Sequence, residues 1–230
     1  MRIQPDAVML FAAGFGTRMG ALTADRPKPL IEVAGKALLD YALDIAVAAG
    51  AARIVVNAHY KADQIATHLT GRDVKVAYEA PEILDTGGGL RAAMPLLDAS
   101  TIFTMNTDAV WRGPNPLRLL AKAWQPEIMD ALLLCLPPAQ AIGHAGQGDF
   151  LRSEDGALTR GAGLIYSGVQ IIKAEALDDM PEGAFSLNMV WDRLLATGRL
   201  HGCIYPGKWC DVGHPGGITL AEDMLSTPDV

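Results

Sequence analysis

The stretch that decides the fold runs Val8-Met9-Leu10-Phe11-Ala12-Ala13-Gly14-Phe15-Gly16-Thr17-Arg18-Met19-Gly20. Its first four residues are apolar without interruption, as suits a strand covered on both faces. The segment from Ala12 to Gly20 is too rich in glycine to continue the strand, so the chain leaves the sheet there. Glycines just past a strand let the backbone approach a phosphate, because no Cβ stands in the way. Successive free N–H groups in such a turn form a concavity that attracts anions. Two cations stand nearby in the sequence. Arg18 offers a planar fork of donors, and Lys28 a compact charge on a segment stiffened by Pro27 and Pro29.

Outward from this stretch, strand and helix patterns alternate. Leu38, Ala42, Ile45, Ala46 and Ala49 share one helical face, and Gly50 is a natural stop. Strands are expected at 53–57, 74–78, 101–106 and 131–136, and helices at 61–70, 89–97 and 116–124. Alternation of this kind implies an α/β fold: a Rossmann-like, doubly wound, mostly parallel sheet. A single domain is expected over residues 6–225, with no second domain. Residues 137–163 are Gly-rich and weakly periodic; 164–172 reads as a strand, 186–196 as a helix capped by Ser186, 204–212 as extended and 218–225 as a last helix. The ends, 1–5 and 226–230, are expected to be loose. Ligands of such sheets bind beyond the carboxyl ends of the strands. Gly14, Asn57, Glu79 and Asp108 each lie just past a predicted strand end.

Composition narrows the function. The net charge is −7 and no Lys/Arg run occurs, so nucleic acid is not an expected partner. Cys135, Cys203 and Cys210 form no CxxC pair, which argues against a disulfide framework or a zinc site. No apolar run reaches the roughly 18 residues of a membrane span. The apolar stretch 7–13 runs straight into Gly14 and reads as a first strand rather than a signal peptide; the expected compartment is the cytoplasm. The dinucleotide fingerprint fails, since Met19 holds the third glycine position and the next strand ends in Asn57 instead of an acid. A Walker-type Gly-Lys-Ser/Thr sequence is absent. Asp108 comes just after an apolar strand, where a carboxylate is costly unless it meets a cation. It is either a Mg²⁺ ligand or a turn aspartate.

From Phe11 to Leu30 the sequence resembles the signature of the sugar-1-phosphate nucleotidyltransferase family, L-A-A-G-x-G-T-R, P-L-T and P-K-P-L in order. Phe11 stands for the initial Leu and Ala21 for the Pro before Leu22 and Thr23. Trp209-Cys210-Asp211-Val212-Gly213-His214 resembles the family's W-x-D-[VI]-G-[TS], with His214, read as a surface residue, in place of Thr or Ser. The run from Glu79 through Asp85-Thr86-Gly87-Gly88-Gly89 resembles its loop along the nucleobase and sugar. The resemblance implies the nucleotide-diphospho-sugar transferase fold, with a nucleoside triphosphate and a sugar 1-phosphate as substrates and Mg²⁺ as cofactor. By residue, it implies catalysis by Arg18, Lys28 and Asp108, and metal ligation by Asp108 and Asp211. Nucleotide binding would fall to Ala12, Ala13, Gly14, Gly16, Thr17, Glu79, Gly88 and Gly89. Glu79 could accept a hydrogen bond from uracil N3–H. Sugar binding would fall to Thr86, Gly87, Asp149, Tyr166, Ser167 and Gly168.

Asn57-Ala58-His59-Tyr60, Gly143-His144, Gly148-Asp149-Phe150 and Tyr166-Ser167-Gly168 resemble elements of the short bacterial N-acetylmuramate α-1-phosphate uridylyltransferases. That makes UTP the implied donor and N-acetylmuramic acid α-1-phosphate, from cell-wall (peptidoglycan) recycling, the implied acceptor. A hexose-1-phosphate uridylyl- or guanylyltransferase, acting on mannose or glucose 1-phosphate, is the alternative. A non-catalytic nucleotide-binding regulator is a distant one, with no reason to keep both aspartates and Lys28. Larger relatives carry a mid-chain Glu-Lys pair for the sugar phosphate. None occurs between Ala139 and Leu164, which leaves Arg160 and Lys208 as candidate cations. No hexapeptide repeat comes after Asp211, so an appended acetyltransferase is not expected.

Overall fold

Residues 5–227 are described by a computed structural model of the chain. The opening apolar run is β1 (Ala7–Phe11), and its side chains alternate between two cores. Val8 and Leu10 pack on one face of the sheet, Ala7 and Met9 on the other. A strand covered on both sides has no polar face to show, which is why it reads as continuous.

A small hairpin, β2 (Glu32–Val33) and β3 (Lys36–Ala37), leads into helix α1 (Leu38–Ala49). Gly50 ends that helix in the left-handed region, at φ 83°. The chain continues through β4 (Arg53–Ala58), α2 (Ala62–His68), β5 (Lys75–Tyr78), α3 (Asp85–Leu97) and β6 (Thr101–Asn106). Next come β7 (Ala109–Arg112), α4 (Pro116–Ala123) and β8 (Ala131–Leu136). Short strands β9 (Ala141–Ile142), β10 (Phe150–Arg152) and β11 (Leu158–Arg160) precede the long β12 (Ile165–Lys173). The chain closes with α5 (Leu187–Ala196), β13 (Leu200–Ile204), β14 (Lys208–Asp211) and α6 (Pro215–Ser226).

Seven strands form the main sheet in the order β13-β8-β12-β6-β1-β4-β5. All neighbours are parallel except β12, which runs antiparallel to both β6 and β8. Leu39, Leu43, Leu117 and Leu120 of α1 and α4 cover one face; Leu90, Leu97, Val190 and Leu194 of α3 and α5 cover the other. Burying each such side chain contributes about 1.5–3 kcal/mol. From β1 the chain first builds outward through β4 and β5, then returns to lay β6 on the other side of β1. That reversal opens a crevice at the carboxyl ends of the strands, where ligands of such sheets bind. The register aligns Phe11 with both Asn57 and Asn106, so the segments after β1, β4 and β6 leave the sheet at one level.

A second sheet, β7-β14-β9, lies across this rim. Val110, Cys210 and Val212 bury a third core against Met19, Leu38, Ala221 and Met224.

Several elements depart from expectation. Helix α3 starts at Asp85 rather than Gly89, so Gly87 and Gly88 lie inside it as well. The extended stretch expected at 204–212 is two strands parted by Tyr205-Pro206-Gly207, and β13 is an edge strand of the main sheet. Its sequence, Leu-His-Gly-Cys-Ile, carries no clear alternation. Strand β7, four residues long, is too short to show a period of its own. The loose ends expected at 1–5 and 226–230 fall mostly outside the described residues; within them, Pro5 is buried and Ser226 is the last residue of α6.

Candidate active site

The loop after β1 is held from below and left open above. Ala12 N–H donates to Asn57 Oδ1 at 2.7 Å. Gly16 is left-handed, and the next segment, the 3₁₀ turns of Thr17–Thr23, drops Met19 into the third core. A methyl on Gly16 would lie 2.8 Å from Lys28 Cβ, so this glycine is required twice, by φ and by space. Gly14 differs: nothing lies within 4 Å of its absent Cβ, and it lines the cleft. Among the described residues, the N–H groups of Gly14, Phe15 and Gly16 donate to no protein acceptor. Unspent donors in such a turn, with Gly14 and Gly16 on the cleft wall, suit an anion.

Beside this loop stands the end of β6. Thr107 Oγ1 donates to Phe11 O at 2.7 Å and fixes the turn that presents Asp108. Lys28, only 8% exposed, donates its Nζ to Asp108 Oδ2 at 2.8 Å. A lysine this buried needs a counter-charge, and Asp108 supplies it.

Asp211 arrives from the far end of the chain. Strand β14 pairs antiparallel with β7, setting Asp211 opposite Ala109, and Val212 N–H donates to Asp108 O at 2.8 Å. The two aspartates therefore flank one point of the rim. Burial pushes the Asp211 carboxyl up from its ordinary pKa, and the like charge of Asp108 pushes it further; Lys28, Arg18 and His144 pull against them. A methyl on Gly213 would fall 2.9 Å from both Arg18 Nη1 and Asp211 Oδ2, so the exposed guanidinium and this acid flank Gly213 together.

One cleft of about 320 Å³ is lined by Ala12, Ala13, Gly14, Gly16, Thr17, Arg18, Lys28, Glu79, Thr86, Asp108 and Gly213 among others, with Asp211 next to its edge behind Gly213. Glu79 lines it, yet both of its carboxylate oxygens meet protein donors: Oε1 accepts from Asn57 Nδ2 at 2.6 Å, and Oε2 from Leu84 N–H at 2.7 Å. Glu79 thus positions Asn57, which in turn holds Ala12. The three glycines of α3 face inward. Methyl groups there would strike the Phe185 ring at 2.3 Å from Gly87, Gly183 O at 2.4 Å from Gly88 and Glu79 Oε1 at 2.4 Å from Gly89. The close approach expected toward a ligand is an approach to the protein itself.

A second cavity adjoins the first and shares Phe11, Asp85, Thr86 and Asn106 with it. Asp149 and Tyr166 line it, and Asp149 Oδ2 accepts from Tyr166 N–H at 2.8 Å. Ser167 and Gly168 do not line it. Ser167 Oγ donates to Leu134 O at 2.7 Å, and a methyl on Gly168 would run into the Asn106 side chain at 2.8 Å. Both follow from the irregularity in β12 pairing between Tyr166 and Val169. His144, from the Gly143-His144 element, lines this cavity, as do Asn188 and Trp191, which no motif marks and only their place in the fold reveals. Of the two candidate cations, Arg160 lines the cavity, whereas Lys208 sits at the other end of β14 from Asp211, opposite Arg112.

The cleft thus carries Arg18, the buried Lys28 and Asp108, and a polar cavity of similar size adjoins it across Phe11, Asp85, Thr86 and Asn106. The family model of the MobA-like NTP transferase domain matches residues 8–144. The chain belongs to this nucleotidyltransferase family. It is 41% identical to the N-acetylmuramate alpha-1-phosphate uridylyltransferase of Caulobacter vibrioides, over 96% of this chain and 98% of that one. It is 33% identical to the enzyme of the same name from Neisseria meningitidis serogroup B, over 89% and 92%. The crystal structure of HddC from Yersinia pseudotuberculosis complexed with GMP-PN shares the fold, with a TM-score of 0.77, 22% identity and coverage of 95% and 99%. The chain is thus an enzyme of the sugar-1-phosphate nucleotidyltransferase type on the nucleotide-diphospho-sugar transferase fold. Asp211 lies beyond the matched segment, and the β7–β14 pairing brings it to the site.

Proposed function

We propose that this chain joins UTP and N-acetylmuramic acid α-1-phosphate into the UDP-sugar and pyrophosphate. The observation that carries the reaction class is the meeting of Lys28, Asp108, Asp211 and Arg18 beside the open N–H groups of residues 14–16. The sugar and the base are carried by the two uridylyltransferase relatives, matched across nearly their whole length. In the reaction a phosphate oxygen of the sugar attacks the α-phosphorus of the triphosphate, and the bond to pyrophosphate breaks.

The chain's own part is positioning and charge neutralisation. The N–H groups of Gly14, Phe15 and Gly16 hold triphosphate oxygens. Arg18 and Lys28 meet the negative charge that grows on the pyrophosphate and the α-phosphate. Lys28 must then loosen its ion pair with Asp108. The two aspartates fit a divalent cation: burial first, and the like charge of Asp108 after it, raise the pKa of Asp211, and a cation would relieve both. Among the described residues no three of His, Cys, Asp and Glu cluster into a protein cage. Few protein ligands, with phosphates and water completing the shell, is the habit of Mg²⁺. Asp108 and Asp211 would hold it, and when bound it would neutralise phosphate charge as a Lewis acid. No helix among the described residues is long and apolar enough to cross a membrane. The three unpaired cysteines suit the reducing cytoplasm.

A matrix of four nucleoside triphosphates against glucose, mannose, N-acetylglucosamine and N-acetylmuramate 1-phosphates, read by pyrophosphate release, tests the proposal. The highest kcat/KM should fall on UTP with the N-acetylmuramate ester. A maximum at GTP with mannose 1-phosphate, or UTP with glucose 1-phosphate, would overturn the substrate and keep the class. No release from any pair would overturn the enzyme reading.

A further inference from the structure

The second cavity contains a cation that phosphate transfer does not require. Arg160 ends β11 and stands in register opposite Phe150 on β10. Its guanidinium carbon lies 4.8 Å from the centre of the Phe150 ring and 5.9 Å from that of Trp191. Stacking on an aromatic ring fixes the plane of the group. Nε and Nη2 donate to Asp192 Oδ1 at 3.1 and 2.8 Å, and Nη2 also to Asn188 Oδ1 at 2.9 Å. Nη1 donates to nothing among the described residues, so one corner of a held guanidinium remains open. Asp192 is 63% exposed at its side chain, so water screens the one ion pair that Arg160 makes.

Position decides which anion this corner would meet. The nucleotide cleft holds Arg18, Lys28 and Asp108, so a reacting phosphate belongs there. The wall common to both cavities is Phe11, Asp85, Thr86 and Asn106, and Arg160 lies on the wall that is not shared. A sugar seated in the second cavity with its 1-phosphate toward the cleft turns another part of its ring to Arg160. A neutral hexose offers that cation only hydroxyls. The acidic groups lining the cavity, Asp85 and Asp149, do not pair with it.

We propose that Arg160 is a specificity residue, binding a carboxylate carried on the sugar ring away from the 1-phosphate. This rests on the proposed function, in which that carboxylate is the lactyl ether of N-acetylmuramic acid.

The experiment compares two acceptors that differ only in the lactyl ether, N-acetylmuramic acid and N-acetylglucosamine 1-phosphates, with UTP and Mg²⁺. It uses the wild type, Arg160→Gln and Arg160→Lys. A lost hydrogen bond to a charged group should lower kcat/KM for the acidic sugar about 10- to 100-fold in Arg160→Gln, chiefly through KM. The neutral sugar should change by no more than about twofold, and Arg160→Lys should fall between, keeping charge but losing the fork. Equal losses on both sugars, or none on either, would overturn the assignment while leaving the substrate proposal standing. A wild type that prefers the neutral sugar would overturn the substrate proposal and this inference with it, before any variant is made. Should Arg160→Gln fail to fold, the wild type decides alone. An acceptor whose lactyl carboxylate is converted to its amide should lose as much as the variant would, and undiminished turnover of that amide would overturn the assignment.

Discussion

Two glycine-rich stretches meet at the rim of the sheet and use glycine for opposite ends. In the loop after β1, Gly14 leaves space that no protein atom fills, and the N–H groups around it are unspent. In α3, Gly87, Gly88 and Gly89 leave space that Phe185, Gly183 and Glu79 fill at once. The N–H groups of Gly87 and Gly88 are spent as well, on Phe185 O at 2.9 and 3.1 Å. The first stretch leaves its room and its donors open to the cleft. The second lets α3 and Glu79 close in until Asn57 and Ala12 are held. Binding power in one place is thus supported by tight packing in the other.

That contrast predicts different failures. On the open side, Asp108→Asn and Asp211→Asn should each reduce turnover by about 10²-fold or more, because a metal's charge stabilisation is worth several kcal/mol and each ~1.4 kcal/mol is tenfold. Circular dichroism should stay near wild type in both, while Asp108→Asn, which leaves the buried Lys28 without its counter-charge, should melt lower. Mg²⁺-dependent turnover at the normal rate in either variant would break the site assignment. Lys28→Ala and Arg18→Ala should lower kcat more than they raise KM, since their charges meet charge that develops during transfer. A pure KM effect would make them mere anchors.

On the closed side, Gly87→Ala and Gly88→Ala should cost stability, about 1–3 kcal/mol each, as overpacked positions do. Urea denaturation would show it as a lower midpoint at constant slope. Gly14→Ala is the control that sharpens the comparison. Its stability should stay within about 0.5 kcal/mol of wild type, as for a substitution into open space, while nucleotide affinity falls. Loss of stability in Gly14→Ala with unchanged nucleotide binding would erase the distinction between the stretches.

The difference between them also marks what the sequence can tell. Both show as glycine clusters beside a strand or helix, and nothing local says whether the room they leave is taken by the protein. The alternation of strands is legible because β1, β4, β6 and β8 are short, apolar and spaced by amphipathic helices. Asp108 is legible because it follows the end of such a strand, and Arg18 and Lys28 because they fall in the glycine- and proline-rich stretch that resembles the family signature. Strands β7 and β13 are not, being four and five residues of mixed character whose pairing is decided by partners far along the chain. Glu79 reads in the sequence as an acceptor for a base; its partners Asn57 and Leu84 become visible only in three dimensions. Resemblance draws Ser167 and Gly168 toward the sugar, while an irregular pairing in β12 turns them to Leu134 and Asn106.

The smallest expected effect concerns Asp211 alone. Burial and the neighbouring Asp108 raise its pKa above the ordinary carboxylate value. For an acid raised in the folded state, the native protein binds the proton more tightly than the unfolded chain. The resulting stability is full below the unfolded pKa and is lost as pH rises through the folded one. At neutral pH the ionised Asp211 is therefore a burden on the fold, which the proposed cation would relieve. Asp211→Asn, with divalent ions chelated and no nucleotide present, should melt slightly higher than wild type at pH 7. The advantage should shrink as pH is lowered through the carboxylate range, where wild-type Asp211 takes up its proton. Added Mg²⁺ and UTP should reverse the order, stabilising the wild type more than the variant through binding to the native state. A variant that melts lower than wild type at pH 7 without ligand would mean that Asp211 already has a stabilising partner, and that the site is not poised for a cation.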